Sequence, residues 1–167
     1  FLVQLTGGTH PLQANYLGDT SFNASTSSKS ITITKATTTI GPLLVSGQAT
    51  VGTPFGVNLT VQTISNGAAP SGTVSFTANG SPLSRTVSYA PQNATVTSPA
   101  SLGAAINATV STPGTYSISA NYNGDINYLS STSASTASVV VKYPSPTLTL
   151  TPSSQTITTS SAKYAHY

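Results

Sequence analysis

The chain has 167 residues, with five cations (Lys29, Lys35, Arg85, Lys142, Lys163), two carboxylates (Asp19, Asp125) and no cysteine. Charged side chains are 4% of the sequence, against roughly 25% in an ordinary soluble domain, and Ser and Thr fill about a third of all positions. The absence of Cys excludes disulfides, thiolate nucleophiles and Cys-based zinc or iron–sulfur sites. Five scattered cations form no patch able to neutralise neighbouring phosphates, so nucleic acid is not an expected partner. The chain also lacks an apolar run of membrane-spanning length.

The first distinctive segment is Gly8–Ser27, GTHPLQANYLGDTSFNASTS. It returns as Gly114–Ser133, GTYSISANYNGDINYLSSTS, with ten identities in twenty positions at an offset of 106. Among the identities are Gly8/Gly114, Tyr16/Tyr122, Gly18/Gly124 and the carboxylates themselves, Asp19/Asp125. A second echo, at an offset of 107, pairs Lys35 with Lys142, Ser46 with Ser153 and Gln48 with Gln155. Solenoid repeats have periods of roughly 20–50 residues, whereas one sandwich domain takes about 100. The period therefore predicts tandem sandwiches. Placing a boundary after each lysine makes residues 1–35 the end of one repeat, 36–142 a complete repeat and 143–167 the start of the next. Neither partial unit has the strands to close a core. With no initiator Met or leader sequence, the chain is expected to be part of a longer, processed protein.

Within the complete repeat, apolar residues alternate with polar ones, as in Val57–Ile64, Thr73–Ala78 and Tyr116–Tyr122, and again beyond it in Thr147–Leu150. That is the period of a strand with one face in a core and the other in water. Turn formers separate the runs: Gly41-Pro42, Asn66-Gly67, Pro70-Ser71-Gly72, Asn79-Gly80, Pro113-Gly114 and Asn123-Gly124. Strands are predicted near 37–45, 56–64, 72–78, 83–89, 104–111, 115–122 and 134–142. Seven short antiparallel strands in one unit make a two-sheet, all-β sandwich.

Three motifs carry a family resemblance. The first is Pro70-Ser-Gly-Thr-Val74-Ser-Phe76, the second Gly114-Thr-Tyr116-Ser-Ile118-Ser-Ala120-Asn-Tyr122, and the third Asn123-Gly124-Asp125 with Tyr128 and Ser130. The chain resembles the bacterial immunoglobulin-like (Ig-like) domains that occur as tandem repeats in large secreted or surface proteins. The resemblance implies an Ig-like antiparallel β-sandwich, an extracellular or cell-surface location and neighbouring repeats as partners. It also implies a tyrosine corner at Tyr116, with Ile118 standing where a strand-F Cys is usual. Tyr116→Phe is then expected to cost about 1–3 kcal/mol. His10 replaces this Tyr in the first unit, which puts the corner there in question.

The search for chemistry returns little. Asp19 and Asp125 occupy equivalent places in different units, so they do not form the close carboxylate pair of glycoside hydrolysis. His10 and His166 have no acidic residue beside them to orient a base. No phosphate loop, dinucleotide fingerprint or zinc helix is present, and no catalytic residue, metal or cofactor is expected. Asn121–Asp125 with Asn127 offers one carboxylate plus amide oxygens. That set would hold calcium weakly, and the same residues read more simply as a turn in which Gly takes positive φ and Asp accepts backbone N–H bonds. Tyr116, Tyr122 and Tyr128 would suit a sugar platform if exposed, but Tyr116 and Tyr122 share a face with Ile118 and Ala120, which predicts core packing. Sequons at Asn23, Asn58, Asn79, Asn93 and Asn107 permit N-glycosylation in a chain this rich in hydroxyls, and Pro82 weakens the Asn79 site.

The expected function is structural: an extracellular spacer or stalk repeat, or a filament building block whose end segments are completed by neighbours. The alternative is an adhesin-type glycan- or protein-binding domain, for which Tyr89 and Tyr128 are the candidate contacts.

Overall fold

In the computed structural model, which describes residues 4–47 and 49–149, each alternating run within residues 36–142 becomes a strand with its apolar side inward. The pattern is clear in β5 (Phe55–Thr63), where Phe55, Val57, Leu59 and Val61 are buried and Asn58, Thr60 and Gln62 are exposed. Among the described residues twelve strands form. An N-terminal ribbon contains β1 (Gly8–Tyr16) and β2 (Ser25–Ile33). The rest are β3 (Thr38–Ile40), β4 (Leu44–Ser46), β5, β6 (Val74–Ala78), β7 (Ser81–Pro82), β8 (Val87–Gln92), β9 (Ser101–Ala108), β10 (Gly114–Tyr122), β11 (Ser131–Thr132) and β12 (Ala137–Val141). Among the described residues there is no helix.

Beyond the ribbon the strands make two antiparallel sheets. One has the order β3-β5-β9-β8, with β4 also on β5; the other has the order β11-β10-β6-β7, with β12 also on β10. Their inner faces share one core. Val57, Val61, Leu102 and Ile106 come from the first sheet, and Phe76, Ile118, Tyr122 and Val141 from the second. The protein is an all-β sandwich between Ala36, bridged to Tyr128, and Lys142, bridged to Thr50.

Four of the predicted strands differ in the structure, each for a local reason. The run at 37–45 splits into β3 and β4, because Gly41 turns its N–H to Thr60 O (2.9 Å) and Pro42 has none to continue a ladder. The run at 83–89 starts late: β8 begins at Val87, after the two-residue Asn79-Gly80 turn, with φ of 48° and 79°, has folded β7 back onto β6. β9 lies three residues earlier than 104–111. The run at 134–142 shortens to β12, with β11 lying ahead of it, and the two pair with the two ends of β10. Between them Ser133 substitutes its hydroxyl, accepting from Ala120 N–H at 3.1 Å.

The N-terminal ribbon pairs Tyr16 with Ser25, as β10 pairs Tyr122 with Ser131. Unlike β10, it has no strand on its other edge among the described residues, and Leu12 is 50% and Tyr16 46% exposed. Residues 143–149 are described without a strand, so the predicted run at Thr147–Leu150 does not form over its described part. Its Leu150, together with Ile157, Ser153, Gln155 and His166, lies outside the described residues.

Candidate functional site

Asp125 stands where the two sheets and the N-terminal segment meet. Gly124 before it takes a φ of 77°, a region that favours glycine, and a Cβ there would lie 2.8 Å from Tyr128 O. The turn so formed aims the carboxylate inward. Oδ1 accepts the N–H groups of Asn127 (2.7 Å) and Tyr128 (2.8 Å). Oδ2 accepts Ser71 N–H (2.7 Å), Ser71 Oγ–H (3.1 Å) and Tyr122 O–H (3.1 Å). The backbone carbonyl of Asp125 accepts Lys35 Nζ at 2.6 Å. One side chain thus ties its own loop to strand β10 and to the Pro70-Ser71-Gly72 segment that leads into β6.

The electrostatics follow from these partners. Partial burial opposes the charged form of Asp125, but the hydrogen bonds from Ser71, Asn127 and Tyr122 outweigh it and hold the carboxyl below its ordinary value. Burial, reinforced by the hydrogen bond to the Asp125 carboxylate, pushes the Tyr122 hydroxyl well up. Both oxygens of Asp125 are therefore occupied by N–H and O–H donors. A bound cation would have to displace them, which favours the turn reading of Asn123-Gly124-Asp125. Melting temperatures in chelator and in millimolar calcium should agree within error; a rise of several degrees with calcium would show that the carboxylate is a ligand.

The equivalent residues in the first segment repeat this turn bond for bond. Gly18 has a φ of 82°, Asp19 Oδ1 accepts Ser21 N–H (2.8 Å) and Phe22 N–H (2.9 Å), and Asp19 Oδ2 accepts Tyr16 O–H (2.7 Å). Asp19 N–H donates to Phe22 O at 2.9 Å, as Asp125 N–H does to Tyr128 O at 3.0 Å. The difference is that Oδ2 of Asp19 has no counterpart of Ser71. The Tyr16 hydroxyl bond, with the two backbone N–H bonds, lowers the Asp19 carboxyl below its ordinary value.

At the other end of β10, Gly114 opens the strand and Ile118 lies fully buried opposite Ala78 and Ala137. Tyr116 O–H donates to Thr112 O at 2.9 Å, the bond that a tyrosine corner would make, and pairs with Thr112 Oγ1 at 2.7 Å. The first unit has its own version: His10 Nε2–H donates to Thr6 O at 2.8 Å, again four residues back. The imidazole reaches the same kind of carbonyl as the phenol, so replacing Tyr by His leaves the corner in place. Because the Tyr116 bond is open to solvent, Tyr116→Phe should cost about 1 kcal/mol, at the low end of the range expected from sequence. An unchanged denaturation midpoint would remove the corner's role in stability.

The two tyrosines named as candidate contacts each bond backbone of the sandwich through the hydroxyl. Tyr128 is 2% exposed and donates to Ala68 O. Tyr89 keeps 41% exposure, but its hydroxyl accepts Val74 N–H at 2.9 Å, lacing β8 of one sheet to β6 of the other. Asn23, Asn58, Asn93 and Asn107 are all exposed. Asn93 Oδ1 accepts Ala69 N–H, and Asn79 Oδ1 accepts Ser117 N–H, both at 2.8 Å.

Reading the sequence left Ser71, Lys35 and Asn127 without their connecting roles. Asn127 Oδ1 accepts Gly7 N–H (2.9 Å) and its carbonyl accepts Ala36 N–H (2.8 Å), clamping the ribbon's root to the sandwich. Beside the clamp lies a cavity of about 260 Å³ bordered by Leu5, Ile33, Ala36, Ala68 and Tyr128. Nothing in the spacing of Ser71 and Asp125, 54 residues apart, signals their contact. Compared with known proteins, the chain matches no family model and no curated sequence.

Proposed function

We propose that this chain is a non-catalytic structural repeat, an Ig-like sandwich of a secreted or surface protein that spaces or assembles larger parts outside a cell. The observation that carries the reading is where the backbone enters and leaves the sandwich. It enters at Ala36 beside Tyr128, at the β10–β11 turn, and leaves at Lys142, next to Val141, which pairs with Gly114 at the far end of β10. The nine residues of β10 separate the two points, a length of about 30 Å. Units joined in this way add length rather than bulk. Lys142-Tyr143-Pro144-Ser145-Pro146 continues the chain with two prolines that restrict its backbone.

Support for the Ig-like assignment comes from strand order. With β3, β5, β6, β8, β9 and β10 taken as A, B, C, D, E and F, and β11 with β12 as G, the sheets follow the A-B-E-D and C-F-G arrangement of that fold. The Tyr116 corner bond agrees with it. Support for a structural role comes from Asp125, whose oxygens serve donors of the fold itself, and from Tyr89 and Tyr128, whose hydroxyls accept Val74 N–H and donate to Ala68 O respectively.

Small-angle scattering of the chain, and of a version with residues 36–142 duplicated in tandem, tests the spacer reading. Duplication should lengthen the maximum dimension by about 30–40 Å. A duplicated chain that stays as short as the original would sink the proposal. The rival adhesin reading gains if a glycan or matrix-protein array shows saturable binding that Tyr89→Ala abolishes.

A further inference from the structure

We propose that the free edge and exposed face of the β1–β2 ribbon form a docking site for one kind of segment, a strand carrying the pattern of Pro70–Ala78, paired antiparallel with β1. This rests on the reading of residues 1–35 as the end of a repeat. The argument for the occupant is the chain's own second copy of the site. β10 repeats β1 at an offset of 106 and makes the same Tyr–Asp turn, and its edge away from β11 and β12 holds β6 in the register Ile118↔Ala78, Ala120↔Phe76, Tyr122↔Val74. Moved onto β1, that register sets Leu12 against the Ala position, Ala14 against Phe and Tyr16 against Val.

Three features of the ribbon match such a guest. First, among the described residues β1 pairs with β2 alone, so alternate backbone groups on its other edge face outward, less the N–H that Pro11 lacks. Second, Leu12 and Tyr16 are half exposed at positions where Ile118 and Tyr122, with β6 beside them and the facing sheet across the core, are fully buried. Third, Asp19 Oδ2 accepts only Tyr16, whereas Asp125 Oδ2 also takes the N–H and hydroxyl of Ser71. The Ser of a docked Pro-Ser-Gly segment would supply those two donors. A lone two-stranded ribbon is marginal in water, so the third strand would stabilise it as β6 stabilises β10. The guest is the corresponding β-strand of a second copy of this unit.

The test uses the whole chain with a second copy of residues 68–80 placed ahead of Phe1 through a flexible Gly/Ser linker of about ten residues. Amide exchange in β1 is read by NMR. The outward-facing amides should slow by on the order of 100-fold when the graft is present. An aspartate at the graft position copied from Phe76 should restore fast exchange, and Asp19→Asn should reduce protection around Tyr16. Unchanged exchange in β1, protection that survives the Phe-to-Asp graft, or protection of β8 or β11 in place of β1 would each overturn the proposal. Slowed exchange in β1, together with a duplicated chain that gains no length in scattering, would keep the docking site and remove the spacer reading.

Discussion

Asp125→Ala should destabilise the sandwich by about 2–4 kcal/mol, because it removes the shared acceptor of Ser71, Tyr122, Asn127 and Tyr128 and leaves their donors to whatever water can reach. Asp125→Asn should cost less, since an amide oxygen still accepts but carries no charge. Asp125 also predicts the direction of acid sensitivity. Its carboxyl is held below the ordinary range in the folded state, so its contribution to stability is complete above the unfolded value near 4 and is lost as pH falls towards the lower folded value. Urea midpoints should therefore drop below about pH 4 in the parent chain and change far less in Asp125→Asn. Equal acid sensitivity in both would show that the carboxylate is not the linked group. Asp19 titrates in the same direction, but on an exposed ribbon, and its effect belongs to local exchange in β1 and β2 rather than to the sandwich.

Gly72→Ala is expected to cost about 3 kcal/mol, the upper end of overpacking penalties. The Gly72 φ is unexceptional; what excludes a side chain is close approach. A Cβ at this position would overlap the Gly124 carbonyl oxygen and lie 2.8 Å from both the Gly124 carbonyl carbon and Tyr122 Cε2. Backbone meets backbone there, so no rotamer change relieves the clash. The segment would have to retreat from the Asp125 loop, lengthening the Ser71 bonds and the contact from Gly72 N–H to the Tyr122 hydroxyl at 3.4 Å. Gly72→Ala and Asp125→Ala break the same junction, so the double variant should lose clearly less stability than the sum of the two. Additive losses in chemical denaturation would mean that the Gly72 approach and the Asp125 bonds act separately.

Both residues show where legibility from sequence stops. Alternation along β5, β6 and β10 was enough to predict strands and their inward faces, because the two-residue period of side chains in a strand is a local property. The all-β sandwich follows from it, and so does the burial of Tyr122 with Ile118 and Ala120. Repetition at an offset of 106 marked Gly18 with Gly124 and Asp19 with Asp125 as pairs, and the structure gives both glycines a positive φ and both carboxylates two backbone N–H donors at equivalent positions. A turn closed within four residues is written in those residues.

What only the tertiary structure decided are the pairings across long separations. Ser71 and Asp125, Tyr89 and Val74, Tyr128 and Ala68, and Asn127 and Gly7 meet because two sheets stack and a linker folds back, and no spacing in the chain encodes that. The same holds for His10, whose reach to Thr6 depends on how the chain turns into β1 and not on the identity of the ring. Strand limits shifted where backbone donors were diverted, as at Gly41-Pro42 and Ser133. Tyr128 was legible as an aromatic in a loop, a place where exposure is common. Its burial against Ala68 was settled by the Asp125 turn, which folds that loop over the end of the core.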